Sequence, residues 1–277
     1  MDHFVYEYPV KVYFGKDCVR QYLGQLLESC GKTVLLAYGC GSVKKNGIYD
    51  QIMSELKAAD KSVVEFAGIM PNPTYAKVQE GAALVRENHV DFILAVGDAL
   101  AHGIEGYLNR YSRPTEKIWH DYGFSLFSTY KDHLLNKTLN FEDYEQMLTA
   151  STIQGMAVMQ SGTTIPHGLG YTLTHFKHVP HGLASCMTTA AYLESLKNQT
   201  PVEHILTACG FDSFDAFRDY LRQIIERNVS ITVTQEEIEH WTDMTFAVKN
   251  RLDRTPEPVT REGLRTMYMR SLQSVLN

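Results

Sequence analysis

Four histidines fall within one short segment of the sequence, residues 167–181, which runs HGLGYTLTHFKHVPH. The whole chain has only eleven histidines. Imidazole is the commonest side-chain metal ligand in proteins. Each histidine taken alone is equally explained as a surface residue, and we expect at least two of the four to be so. Their grouping in an apolar, glycine-rich stretch nevertheless favours a metal site. The four are His167, His175, His178 and His181.

Asp98 and His102 form a second pair of metal-ligand residue types. Residues four apart share one face of a helix, so this carboxylate and this imidazole could bind the same ion. The alternative is an aspartate that caps a helix beside a partly exposed histidine, and the weak D-x-x-x-H pattern leaves both interpretations open. One aspartate oxygen with three histidine nitrogens would suit divalent iron or zinc acting as a Lewis acid.

A glycine turn, Gly39-Cys40-Gly41-Ser42, follows the first predicted buried strand. Glycine there lets the backbone approach a phosphate, and the start of the next helix offers free N–H groups. An ordinary turn between a strand and a helix explains the same residues, and both interpretations stay open at this point.

The elements that must position these residues change in character at Gly97. Ahead of it, apolar runs and helical spacings alternate in a βαβαβ order, which predicts a parallel sheet with helices on its faces. One or two strands are predicted within 5–14, and single strands at 33–38, 62–66 and 91–96. The predicted helices lie at 19–30, 48–59 and 75–88. Gly31 is the expected C-cap of the first helix.

Beyond Gly97 the patterns predict helices and no strand. The ranges are 99–109, 141–160, 182–197, 214–228 and 235–251, with a last helix that opens at Thr260. Ser213 is the expected N-cap of the fourth of these helices. Thr234 with Glu237 predicts a capping box for the fifth.

Composition excludes several classes of protein. The 277 residues carry 26 Lys and Arg against 32 Asp and Glu, a net charge of −6, which argues against a general nucleic-acid binder. Because no run of about 18 apolar residues is present, we expect no membrane span, and we expect no secretory signal at the N-terminus. The five cysteines are scattered without a C-x-x-C pair, so we expect neither a disulfide framework nor a thiolate metal site. A cytoplasmic protein without nucleic-acid or membrane partners is expected.

Taken together, these motifs resemble the iron-containing alcohol dehydrogenase family, and most of all its butanol-dehydrogenase-like branch. The resemblance spans nearly the whole chain, and the two-histidine segment that ends in Pro-His-Gly is specific to the family. The matching segments are 12–16, 34–50, 71–73, 92–97, 98–108, 167–182 and 256–260.

The resemblance implies a metal-dependent, NAD(P)-linked alcohol dehydrogenase or aldehyde reductase that acts on small alcohols or aldehydes. One divalent ion is implied, Fe²⁺ first and Zn²⁺ second, together with NAD or NADP, and homo-oligomers are common in the family. The implied metal ligands are Asp98, His102, His167 and His181. His175 and His178 are not ligand positions, and Tyr171 stands where the family often has a third histidine near the nicotinamide.

The resemblance also assigns cofactor-binding positions. Gly39, Gly41 and Ser42 match the turn that contacts the adenosine end, and Asn72 matches a loop that faces the cofactor. Gly97 ends the strand that leads to the pyrophosphate. Because Gly39 has no carboxylate to repel a 2′-phosphate, NADP is permitted beside NAD.

One departure from the family follows Gly97. In the family this strand runs into a glycine-rich pyrophosphate turn, and about a hundred residues complete the sheet before the metal-binding aspartate. Here Asp98 follows Gly97 directly, which implies an internal deletion. The expected fold is a truncated Rossmann-like α/β parallel sheet followed by an all-α metal-binding domain. The expected domains are 1–97, an incomplete dinucleotide-binding domain with an exposed sheet edge, and 98–277, the helical metal-binding and catalytic domain.

Two alternatives to a dehydrogenase stay open. The first is a catalytically impaired family member that keeps only its metal site, because the pyrophosphate turn is missing. The second is a metal-dependent hydrolase with Glu105 as the general base. Glu105 lies three residues after His102 and could share its helix face, or it could be an ordinary solvated residue.

Overall fold

The structure of the protein is a computed structural model that describes residues 17–39, 42–45, 47–69, 75–87, 92–94 and 100–275. The chain divides into two compact units, the α/β unit, 1–97, and the helical unit, 98–277. The one or two strands predicted within 5–14 lie outside the described residues.

The α/β unit contains a three-stranded parallel sheet in the order β2-β1-β3, which confirms the predicted fold class of this half. Its strands are β1 (Thr33–Ala37), β2 (Ser62–Phe66) and β3 (Phe92–Leu94). Its helices are α1 (Cys18–Glu28), α2 (Ser42–Lys45), α3 (Ile48–Ala58) and α4 (Tyr75–Glu87). Among the described residues, β3 pairs with β1 alone.

After Thr33 the central strand β1 is apolar, as expected for a strand whose sheet is covered on both faces. Val34 and Leu36 pack with Leu56 on one face, and Leu35 packs with Phe66 on the other. Alternate side chains of one strand thus supply two separate cores, as the period of a β-strand requires.

The helical unit contains ten α-helices among the described residues, and no strand is present in 100–275. The helices are α5 (Leu100–Leu108), α6 (Pro114–Asn136), α7 (Phe141–Ser161), α8 (Ile165–Lys177), α9 (His181–Ser195), α10 (Thr200–Ala208), α11 (Phe214–Asn228), α12 (Gln235–Ala247), α13 (Lys249–Asp253) and α14 (Arg261–Ser271), followed by a short 3-10 helix, Gln273–Val275. No described helix is long and apolar enough to cross a membrane.

The predicted caps of two helices are confirmed. The Ser213 hydroxyl accepts a hydrogen bond from the Ala216 N–H at 3.1 Å. Thr234 and Glu237 form the reciprocal bonds of a capping box, at 3.2 and 2.9 Å. These residues therefore satisfy N–H groups that have no partner within the helix.

Other predicted boundaries are wrong. Helix α1 ends at Glu28 with Ser29 as its C-cap, not Gly31, because the Ser29 hydroxyl already bonds the Leu26 carbonyl at 2.9 Å. The helix predicted at 235–251 divides at Val248 into α12 and α13. Helices α6, α8 and α10 were not predicted.

Helix α8 was missed because its glycines resemble a loop in the sequence. At Gly170 a Cβ atom would lie 2.9 Å from the Ser185 backbone nitrogen, so only glycine allows α8 to approach α9 this closely. A residue type with low helix propensity is therefore retained here for packing.

Candidate metal centre

Tertiary packing brings three of the predicted metal ligands together from three helices of the helical unit. His102 lies on α5, His167 on α8, and His181 is the first residue of α9. The Nε2 atoms of His102 and His167 are 3.1 Å apart. The ring centroids of His167 and His181 are 4.9 Å apart, and those of His102 and His167 are 4.6 Å apart. We call these three residues the histidine cluster.

The spacing of the first two nitrogens fits a shared metal ion. Two nitrogens bound to one ion at about 2.1 Å, with angles of about 90–109°, lie roughly 3.0–3.4 Å apart. The 3.1 Å separation of His102 and His167 falls in that range. Imidazole nitrogens also suit iron and zinc.

The described part of the site is incomplete. Within the described ranges, no group of three or more histidine, cysteine or carboxylate side chains is arranged to hold a metal ion. The predicted fourth ligand, Asp98, lies outside those ranges.

Glu105 fixes the orientation of His167. Its side chain is fully buried, and one carboxylate oxygen, Oε1, accepts a hydrogen bond from Nδ1 of His167. The other oxygen, Oε2, accepts the Thr164 N–H at 2.6 Å and the Thr164 hydroxyl at 3.2 Å. A histidine that donates from Nδ1 to a carboxylate carries its lone pair on Nε2, the atom that faces His102.

Both earlier interpretations of Glu105 are therefore wrong. The residue is not solvated, since its exposed fraction is 0%. Nor is it placed as a general base of a hydrolase, because its oxygens bond the Nδ1 side of His167 and the start of α8 rather than the Nε2 side. Sequence spacing placed Glu105 one helical turn from His102, but it did not reveal that the side chain bonds His167 and Thr164.

Tyr171 and Arg251 extend the cluster on one side. The ring of Tyr171 stacks on His181 with centroids 5.5 Å apart and planes at 11°. The guanidinium carbon of Arg251 lies 4.2 Å from the centroid of the Tyr171 ring. Arg251, on the short helix α13, was not singled out from the sequence, since no local motif marks a contact between segments so far apart. His175 and His178 are both exposed.

A buried polar pair, His120 on α6 and Gln154 on α7, packs against the helix that carries His102. His120 Nδ1 and Gln154 Oε1 are 2.5 Å apart, and His120 has no exposed surface. Burial lowers the pKa of His120 to about 4, which keeps the ring neutral. A Cβ atom on Gly106 of α5 would lie 2.5 Å from this ring, so glycine permits the close approach.

The predicted cofactor-binding residues of the α/β unit are only partly described. Gly39 follows β1, is exposed, and accepts a hydrogen bond from the Gly68 N–H at 3.3 Å through its carbonyl. Ser42 is the first residue of α2. Gly41, Asn72 and Gly97 lie outside the described residues, so these assignments stay predictions.

Two family profiles match the chain. Residues 9–103 match the family described as iron-containing alcohol dehydrogenase, and residues 93–272 match the C-terminal part of the Fe-containing alcohol dehydrogenase family.

Curated relatives match over about 97 residues. A probable NADH-dependent butanol dehydrogenase 1 of Bacillus subtilis is 44% identical over 35% of this chain and 25% of its own length. The NADPH-dependent aldehyde reductase YqhD of Escherichia coli is 42% identical over 35% of this chain and 24% of its own length. The matching part of the chain thus spans about a quarter of the length of these relatives.

Solved structures share the fold over nearly the full chain. An iron-containing alcohol dehydrogenase from Thermotoga maritima superposes with a TM-score of 0.81 at 20% identity, covering 98% of this chain and 100% of the other. A second iron-containing alcohol dehydrogenase gives a TM-score of 0.82 at 20% identity, covering 98% of this chain and 99% of the other. At this identity the likeness concerns the fold.

Proposed function

The chain belongs to the iron-containing alcohol dehydrogenase family, and from that premise we propose that it is a metal-dependent, NAD(P)-linked alcohol dehydrogenase or aldehyde reductase. The observation that carries the proposal is the pairing of His102 and His167 at 3.1 Å, with His167 held by the buried Glu105. A carboxylate that accepts a hydrogen bond from the other ring nitrogen of a metal-binding histidine is typical of metal sites.

We assign the metal to Asp98, His102, His167 and His181, with Fe²⁺ as the first expectation and Zn²⁺ as the second. When bound, a divalent ion would polarise the oxygen of an alcohol or aldehyde. The protein's own contribution is orientation. Glu105 holds the His167 tautomer, and Tyr171 packs against the His181 ring.

We assign the dinucleotide to Gly39, Gly41, Ser42, Asn72 and Gly97. A bound nicotinamide would accept or donate the hydride. The substrates proposed are small alcohols and aldehydes, in keeping with the names of the relatives. We further propose that the protein is a cytoplasmic homo-oligomer with no nucleic-acid partner. The net charge of −6 supports the absence of a nucleic-acid partner.

A titration of the metal-loaded protein with NADH and NADPH in parallel, followed by nicotinamide fluorescence, tests the proposal. Saturable binding at micromolar concentrations, with turnover of a short aldehyde, is the expected result. If a folded sample with one bound metal binds neither dinucleotide, the implied deletion after Gly97 has removed the dehydrogenase and left the metal site. The geometry does not favour the hydrolase alternative, because Glu105 bonds Nδ1 of His167 and faces away from its Nε2 side.

A further inference from the structure

Arg251 lies along helix α8 beside the histidine cluster. Its guanidinium covers the Tyr171 ring at 4.2 Å, and its Nη1 atom is 3.4 Å from the Thr163 hydroxyl. Its aliphatic stem passes Gly168, where a Cβ atom would lie 3.5 Å from the Arg251 Cδ. The side chain is half-buried in this position.

Arg251 makes no ion pair with any carboxylate among the described residues. Six other arginines of the helical unit each have a carboxylate within 4.0 Å, namely Arg110, Arg218, Arg222, Arg261, Arg265 and Arg270. A guanidinium has five N–H donors in a planar fork, and a single contact at 3.4 Å uses little of that capacity. A half-buried cation with unused donors is suited to an anionic partner.

The cation is separated from a predicted metal ligand by one aromatic ring. Tyr171 stacks on His181 and contacts Arg251, so the guanidinium lies at the rim of the histidine cluster. The ring centroids of Tyr171 and His181 are 5.5 Å apart, so an oxyanion held by Arg251 would lie about one ring away from His181. The planar fork of arginine matches a carboxylate through two parallel hydrogen bonds.

We propose that Arg251 is a specificity-determining residue that binds an oxyanion at the far end of the substrate, so that the preferred substrates are aldehydes or alcohols bearing a carboxylate or similar anion. This inference rests on the proposed function, which places the substrate oxygen at the histidine cluster. It assigns the anion to the substrate and not to the phosphates of the dinucleotide.

The test compares two aldehydes of equal chain length, butanal and 4-oxobutanoate, in the metal-loaded full chain. The measured quantity is the ratio of their kcat/KM values. We expect the wild type to favour 4-oxobutanoate and Arg251→Gln to reduce that ratio by about 10–100-fold, the range for a hydrogen bond to a charged group. Arg251→Lys keeps the charge but not the fork, so it should restore only part of the preference.

Arg265→Gln is the matched control, since it removes the same charge from an arginine paired with Glu239 on the neighbouring helix α12. It should leave the ratio unchanged. Equal ratios in the wild type and Arg251→Gln would overturn the inference. So would a loss of NADH or NADPH affinity in Arg251→Gln at an unchanged ratio, because the anion would then be a cofactor phosphate.

A binding measurement separates failure of this inference from failure of the proposed function. The affinities of 4-hydroxybutanoate and 1-butanol are measured by ligand-observed NMR, which needs no turnover. Tighter binding of 4-hydroxybutanoate to the wild type, lost in Arg251→Gln and kept in Arg265→Gln, supports the anion site even if neither aldehyde is reduced. Equal affinity for both alcohols in all variants overturns the anion site. If butanal is nevertheless reduced, the proposed dehydrogenase function stands without that site.

Discussion

Replacing Glu105 with glutamine should weaken metal binding although Glu105 is not itself a predicted metal ligand. The carboxylate accepts N–H groups on both oxygens, from His167 on one side and from Thr164 on the other. Glutamine keeps one acceptor and replaces the other with an NH₂ group. If the NH₂ group faces the Thr164 N–H, a donor faces a donor in a site with no exposed surface, and if it faces Nδ1 of His167, the ring must change its tautomer.

The size of the effect follows from these contacts. A buried donor left without an acceptor costs about 1–3 kcal/mol, and the remaining bonds weaken because the acceptor is no longer charged. We therefore expect Glu105→Gln to lower the free energy of unfolding by about 2–3 kcal/mol. For a domain of this size, that corresponds to a fall in Tm of roughly 5–10 °C.

Metal affinity should fall separately from stability. If the NH₂ group faces Nδ1 of His167, the ring changes to the tautomer that carries its proton on Nε2. A protonated Nε2 has no lone pair with which to bind an ion. Loss of such a supporting partner typically costs about 10–100-fold in metal affinity. The affinity is measured by competition with a chromophoric chelator, and unfolding of the metal-free protein is followed by circular dichroism.

Glu116→Gln supplies the control for this experiment. Glu116 is also a buried glutamate, and it accepts the Arg113 N–H at 2.6 Å at the start of α6. It contacts no histidine of the cluster, and glutamine also serves in a capping box. Its metal affinity should equal that of the wild type. Wild-type metal affinity in Glu105→Gln, or an equal loss in Glu116→Gln, would refute the reasoning about tautomer and orientation.

Three further predictions concern the helical unit. Gly106→Ala should destabilise the protein by about 1–3 kcal/mol, since its Cβ would lie 2.5 Å from the His120 ring. Gly155→Ala has nothing within 4 Å of its Cβ and should instead stabilise the protein by about 0.5–1 kcal/mol. Urea unfolding of both variants measures these opposite changes in the free energy of unfolding. Because burial lowers the pKa of His120 to about 4, the unfolded chain takes up a proton at that residue before the folded one. Stability should therefore fall as the pH drops from about 6.5 to 4, by up to about 3 kcal/mol, and His120→Gln should flatten this slope in unfolding measured across the pH range. Burial also raises the pKa of the Cys209 thiol to about 12, so a thiol reagent should label Cys209 only on unfolding, and mass spectrometry that finds it labelled in the folded protein would contradict this.

Local sequence patterns determined much of the secondary structure. The strand Ser62–Phe66 and the helix Phe214–Asn228 lie where the patterns predicted, and Thr234 with Glu237 caps α12. These features depend on contacts between residues close in the chain, such as capping bonds and apolar periodicity, so one segment contains the information that specifies them.

Helices α6 and α8 were not predicted because some of their residues are suited to contacts with other helices rather than to a regular helical pattern. Helix α6 carries the buried His120, which interrupts an apolar face, and Gln154 of α7 supplies its partner. Helix α8 carries Gly170 at the point where it meets α9. A polar or glycine residue inside a helix lowers its apparent propensity, and the compensating contact lies on a distant segment.

The candidate site divides in the same way. The types and spacing of His102, His167 and His181, with the family resemblance, were enough to select them from the sequence as predicted ligands. Only the tertiary structure determined that Glu105 lies behind His167 and that Arg251 covers Tyr171. The physical reason is that side-chain direction depends on how helices pack, and this packing joins residues that no sequence motif links.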